Sequence, residues 1–169
     1  LWREASNFTY KIGKGDDLYR RSLYTYWKRT LAPPSMAVLD TADREWCSVS
    51  PKQTNTPLQA LALLNETAFF EAARKLGERL LAQSDSAVEQ IEWAFQTVTA
   101  RRPTTREQEV LRKAYHSYKE TFATDPESAE QALKVGQSEP LKGTNTVQLA
   151  AATILANVLL NLDEVTTRE

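Results

Sequence analysis

One cysteine and one histidine are all the chain has of the two side chains that most often bind transition metals, and this scarcity removes several chemistries at once. Cys47 alone closes no internal disulfide, and Cys47 with His116 is too few to build a tetrahedral zinc or thiolate site. An excess of one charge is also missing. Lys and Arg number 21 against 22 Asp and Glu, a formal net charge of -1, so no global field recruits nucleic acid or an anionic membrane. No basic segment followed by an apolar stretch and a cleavage site opens the sequence, which starts at Leu1 and reads as an excised fragment. The stretch from Gly143 to Leu162 is free of charge, but Thr144, Asn145, Thr146, Gln148, Thr153, Asn157 and Asn161 interrupt it. That polarity fits a buried core helix and argues against membrane insertion.

What is present suffices for one buried core: 41% hydrophobic residues in a chain of 169. The stretch that organises the rest is Thr54 to Asn65, TNTPLQALALLN. Thr56 suits the N-cap, Pro57 the first helical position and Gln59 the third, a capping box of the T-x-x-Q kind. Leu58, Leu61, Ala62 and Leu64 follow at near-helical spacing and are expected to be buried, while Asn65 either ends this helix or caps the next.

Residues 1–17, with Gly13 and Gly15, read as an arm or loop, and residues 18–169 as a single helical domain. Leu18 to Thr30 suits a short strand through the alternation of Leu23, Thr25 and Trp27. Pro33 and Pro34 stop it, and Ala32 to Gln53 is expected to be a long ordered loop with an apolar patch at Met36, Val38 and Leu39. Thr67 to Ala82 is expected as a helix with Arg74, Lys75, Glu78 and Arg79 on its wet side. Ser84 to Thr99 is another, with Ser86 and Glu89 in capping-box register and a stripe of Val88, Ile91, Phe95 and Val98. Thr104 and Glu107 cap a third, whose core face is Val110, Leu111, Ala114, Tyr118 and Phe122. Asp125 and Pro126 open a shorter helix that Gly136 closes. The last, from about Thr146 to Asp163, is apolar on two faces and belongs in the middle of a bundle. The expected fold is mainly α: a single-domain bundle of about five helices with an N-terminal extended arm or short strand and a long ordered loop.

The phrases YRRSLYTYWKRT, PPSM, DTADREWCSV, QTNTPLQALALLNETAFFEAARKLGERLL, ARRPT and LLNLDEVTTRE, in that order, span nearly the whole chain from Leu18. Through them the sequence resembles the planctomycete-specific PSD domain, a domain of unknown function at the C-terminal end of large proteins that often carry a cytochrome-c-like domain. The resemblance implies a secreted or periplasmic setting and further domains upstream, one of which can bind haem. This chain has no C-x-x-C-H segment, so no cofactor is expected within it. It departs from the family pattern at Ser50 and Pro51, where a more basic approach is usual, at Glu66 and Thr67, where aspartate and proline are common, and near Thr153, which lacks an aromatic.

Three constellations have both a chemical and a structural reading. Asp40, Asp43, Arg44 and Glu45 form a dense charged group that suits general acid and base work in a hydrolase. The preferred reading pairs Arg44 with Asp163 or Glu164 and so pins the loop to the last helix. Those two carboxylates are placed at a helix C-terminus, where the macrodipole calls for a cation such as Arg44, Arg168 or Arg29; their chemical alternative is a carboxylate pair that holds a metal, for which no further ligand group is identifiable. Tyr24, Tyr26, Trp27 and Trp46 bracket the long loop beside Arg20, Arg21, Lys28 and Arg29, a pattern that suits stacking on sugar rings as well as ordinary core filling. His116 reads as a surface residue and Cys47 as a small buried one. The stripe of Thr153, Asn157 and Asn161 is expected to bond neighbouring loops. No spacing names a catalytic or metal-binding set. The chain therefore reads as a docking or interaction module whose partners are the parent's other domains or another protein, with carbohydrate as the alternative ligand.

Overall fold

A computed structural model describes residue 13 and residues 15–27, 32–42 and 54–167. The chain divides into two units, Leu1–Pro33 and Pro34–Glu169. In the first, Gly15–Tyr19 and Ser22–Tyr24 are short 3-10 helices, so the strand expected over Leu18 to Thr30 does not form across its described part. A strand needs a neighbour to take its backbone bonds, and no strand exists among the described residues. The chain instead satisfies itself locally: Tyr24 N–H donates to Arg21 O and Thr25 N–H to Ser22 O, each at 3.0 Å.

In the second unit α1 (Pro34–Val38), α2 (Pro57–Asn65), α3 (Thr67–Leu81), α4 (Ala87–Thr99), α5 (Thr105–Thr124), α6 (Pro126–Leu133), α7 (Thr146–Leu160) and α8 (Asp163–Thr166) follow one another. The fold is mainly α, with eight α-helices among the described residues where about five are expected, because short helices occupy stretches that read as loop or helix end. The Met36 and Val38 patch is one of them, with Pro34 at its first position.

The core is built on α7. Asn145 caps it by accepting from Gln148 N–H at 3.1 Å, and the run from Leu149 to Ala152 is buried on consecutive positions, so every side of this part of the helix is covered. Its widest contact is with α3, followed by α5 and α6. Small residues allow the α3 approach: Ala73 meets Ala156, and a Cβ added at Gly77 would lie 3.0 Å from Thr153 N and 3.1 Å from Ala152 C. Leu80, Ile91, Phe95, Leu111, Tyr115, Leu155 and Leu159 form the main cluster. Each such side chain contributes about 1.5–3 kcal/mol on burial. On the far side of α7, Ala129 and Leu133 of α6 close over Leu149 and Ala150.

Several faces differ from the periodic reading. Leu58 and Leu61 of α2 are 58% and 57% exposed, and Val110 of α5 is 59% exposed, while Leu111 and Tyr115 take the buried stripe. At α4 the Ser86 side chain caps nothing; Ser84 Oγ accepts from Ser86 N–H at 3.0 Å and donates to Glu89 at 2.6 Å. Arg74, expected on the wet side of α3, is 1% exposed. Its guanidinium donates to Leu133 O, to Ser138 O at 2.5 Å and to Ser138 Oγ at 2.8 Å. Glu71, one turn earlier and also buried, accepts from Gln137 N–H at 3.2 Å and Ser138 N–H at 2.6 Å. The two charges lie 3.6 Å apart and together hold the turn that leaves α6.

Candidate functional site

The capping box of α2 is formed in both halves: Thr56 N–H donates to Gln59 Oε1 at 2.8 Å, and Gln59 N–H to Thr56 Oγ1 at 3.3 Å. Gln59 has a second task. Its Nε2 reaches Asp40 Oδ2 at 2.9 Å and Thr54 Oγ1 at 3.1 Å. Asp40 sits at a φ of 57°, a left-handed conformation that Asp tolerates, and this turns its carboxylate back toward the cap. The same oxygen accepts from Thr54 N–H at 2.9 Å and from the Thr54 hydroxyl.

Asp40, Thr54, Asn55 and Gln59 form one wall of a cleft of about 450 Å³, and Asn161, Asp163, Thr166 and Thr167 form the other. Asn55 Nδ2 crosses it to Asp163 Oδ1 at 2.5 Å, and Thr167 Oγ1 donates to the same oxygen at 2.9 Å. Below, Asn157 and Asn161 of α7 donate to Leu64 O at 3.1 Å and Ala60 O at 3.5 Å. This polar stripe bonds the carbonyls of a helix, not of a loop, and Thr153 bonds its own helix through Leu149 O at 2.7 Å.

Asp163 and Glu164 open α8 instead of closing α7, because α7 stops at Leu160. At a helix start the macrodipole favours them, so they need no cation on that account. Glu164 nevertheless has one: Arg101 NH2 lies 2.9 Å from Glu164 Oε1 and 2.7 Å from Glu107 Oε1. The Arg101 guanidinium, with help from Thr104, holds the Glu107 carboxyl down at about 2, and the two carboxylates push Arg101 above its usual range. Arg101 also covers the Phe95 ring at 4.7 Å. This intramolecular junction has no counterpart in the sequence reading; the place of Arg101 just ahead of the capping box of Thr104 and Glu107 is the signal that could have found it.

In the N-terminal unit Tyr24 and Tyr26 are 62% and 67% exposed, and Trp27 is half-buried. Arg21 lies 5.9 Å from the Tyr24 ring centre, and Arg20 pairs with Asp17 at 2.9 Å. Asp43, Arg44, Glu45, Trp46 and Cys47 lie outside the described residues, as do Arg29 and Arg168. Thus Asp40, Gln59 and Asp163 come together in one cleft, Thr56 stays behind it as the cap that holds Gln59, and Glu164 belongs to a different cluster with Arg101.

The cleft's carboxylates accept from amide, hydroxyl and backbone donors of their own chain, an arrangement that joins α2 to the α7–α8 corner. Among the described residues, no three His, Cys, Asp or Glu side chains gather as metal ligands. No helix among those residues is long and apolar enough to cross a membrane. No curated protein and no solved structure matches the chain. Residues 3–115 match the PSD1 family model, and the chain belongs to this family, described as "Protein of unknown function (DUF1553)".

Proposed function

We propose that the chain is a non-catalytic docking module at the C-terminal end of a larger extracytoplasmic protein of planctomycete type, and that it engages another domain of that parent. One observation carries this reading: within eight consecutive positions Tyr19, Leu23, Tyr24 and Tyr26 are 61%, 77%, 62% and 67% exposed. Arg20 and Arg21 stand between them. Tyr and Arg are enriched at the hot spots of protein interfaces: Tyr brings large contact area at low entropic cost, and Arg a planar set of hydrogen-bond donors. The module needs no cofactor of its own, and a haem of the parent belongs to an upstream domain. Titration calorimetry of this chain against the remainder of the parent protein tests it. Replacing Leu23, Tyr24 and Tyr26 with Ala is expected to weaken the association at least ~10-fold, as loss of two hot-spot rings does. Absence of any association between the unsubstituted pieces sinks the reading.

The exposure of both Tyr24 and Tyr26 also favours a second reading, a carbohydrate platform on which the rings stack against sugar faces. A glycan array separates the two. Saccharide binding lost on Tyr24→Ala supports the platform, and a blank array removes it.

A further inference from the structure

Between α5 and the start of α7 lies a second cleft, of about 670 Å³, within the range of about 300–1,000 Å³ that small-molecule sites occupy. Ala87, Tyr115, Ala123 and Val147 give it an apolar floor. Its rim is charged, with Arg112, His116 and Lys119 on one stripe of α5 and Glu120 beside them. Tyr115 is almost wholly buried and points its hydroxyl toward Gln90 at 3.5 Å, so its ring is a fixed part of the floor.

Lys119 is the unusual group. Its Nζ rests 4.1 Å from the centre of the Tyr115 ring, and among the described residues no carboxylate lies within ion-pair distance of it. Burial disfavours its charge, and no neighbouring anion offsets this. A partly desolvated ammonium with only an aromatic face for company is short of one interaction, which an incoming anion supplies. Arg112 is exposed and also makes no ion pair among the described residues. The opposing charges are few. Glu120 faces His116 at 3.5 Å, while Glu78 and Asp85 border the adjoining cleft beyond Lys119, with Glu78 engaged by Lys75 at 2.9 Å. The first turn of α7 adds the positive end of its dipole on the same side.

We propose that this cleft binds a small amphipathic carboxylate, with its apolar body on Ala87, Ala123 and Val147 and its head group on Lys119 and Arg112, while the buried Tyr115 ring backs Lys119 from beneath. The reading is independent of docking through the N-terminal unit. Octanoate, kept below its micelle concentration, is the probe, titrated into the full chain at pH 7 and followed by amide NMR shifts. The expected result is saturable shifts confined to residues 112–123 and 145–148. Lys119→Gln is expected to weaken binding at least ~10-fold and Lys119→Arg less than ~3-fold, since the charge-assisted contact is worth about one decade of affinity. Octan-1-ol, which has the tail without the charge, is expected to bind at least ~10-fold more weakly. Inorganic phosphate, charge without tail, is not expected to displace octanoate. No saturation by about 5 mM, where binding energy falls near 3 kcal/mol, overturns the proposal. So does octanol binding as well as octanoate, or displacement by phosphate. The two controls use the unsubstituted protein, so they decide even where a variant fails to fold.

Discussion

Replacing Arg74 with Met tests the most exacting part of the fold. The guanidinium is 1% exposed and donates to Leu133 O, Ser138 O and Ser138 Oγ, while Glu71, 4% exposed, accepts from Gln137 and Ser138 N–H. Methionine keeps the apolar stem but leaves two carbonyls without this donor and takes the guanidinium charge away from Glu71. Removing one partner of a buried pair costs about 3–5 kcal/mol, and the retained stem favours the lower part of that range. For a chain of this size that is a loss of roughly 6–16 °C in Tm. The direct separation of the charges is 3.6 Å, long for an ion pair, so their coupling runs through Ser138, which both side chains hold. Glu71→Gln alone is expected to cost about 1–2 kcal/mol. In the double variant the costs fall short of the sum by about 1–2 kcal/mol, because a turn already released by one substitution has less to lose from the other. Urea unfolding followed by far-UV circular dichroism measures all three. A loss below about 1 kcal/mol for Arg74→Met refutes the claim that the guanidinium anchors the turn, and additivity within about 0.5 kcal/mol refutes coupling through Ser138.

Three further outcomes follow from the geometry. The Glu107 carboxyl is held at about 2, below its ordinary 4.5, first by Arg101 and then by Thr104. A depressed folded pKa gives stability that is present above about 4.5 and lost as pH falls through about 2; Glu107→Gln should flatten the stability profile across that window, and an unchanged slope there contradicts the assignment. Gly77→Ala is expected to destabilise by about 1 kcal/mol net: the helix propensity gain of about 1 kcal/mol is outweighed by contact with the α7 backbone, as a lowered Tm will show. A raised Tm would mean that the helices are not so close. Asn157→Ala removes the donor to Leu64 O, and an expected loss of about 1–3 kcal/mol should come with faster amide exchange in α2 than in α5. Equal acceleration in both would falsify a local role.

What the sequence makes legible here is local. The boxes at Thr56 and Thr104 and the helix start at Asp125 and Pro126 are complete within four residues, and the structure forms all three. Which face of a helix turns inward depends on a partner far away in the chain, and there the periodic reading slips. α5 offers apolar residues on more than one side, and α7 selects Leu111 and Tyr115 over Val110. Arg74 looks like a solvent residue by chemistry but shares the buried side of α3 with Ala73 and Gly77, and only the turn at Ser138 explains its burial. The same limit applies to the cleft. Asp163 is visible in the sequence as a charge near a helix end, yet its bond to Asn55 joins positions 108 apart, and no local pattern encodes that.

The place of α7 sets a schedule for the chain as it is made. The small-residue face of α3 is ready once Leu81 has been synthesised, but the surface it must cover, from Ala152 to Ala156, comes only after α4, α5 and α6. At ordinary synthesis rates the interval is on the order of several seconds, during which α4 can cover part of α3 but Ala73 and Gly77 still lack the α7 backbone they pack against. The family match stops at Tyr115, inside α5, whereas closure waits for the helix at 146–160. On the ribosome, then, the earlier helices remain in need of shielding, and their final burial is a late event triggered by one strongly apolar segment.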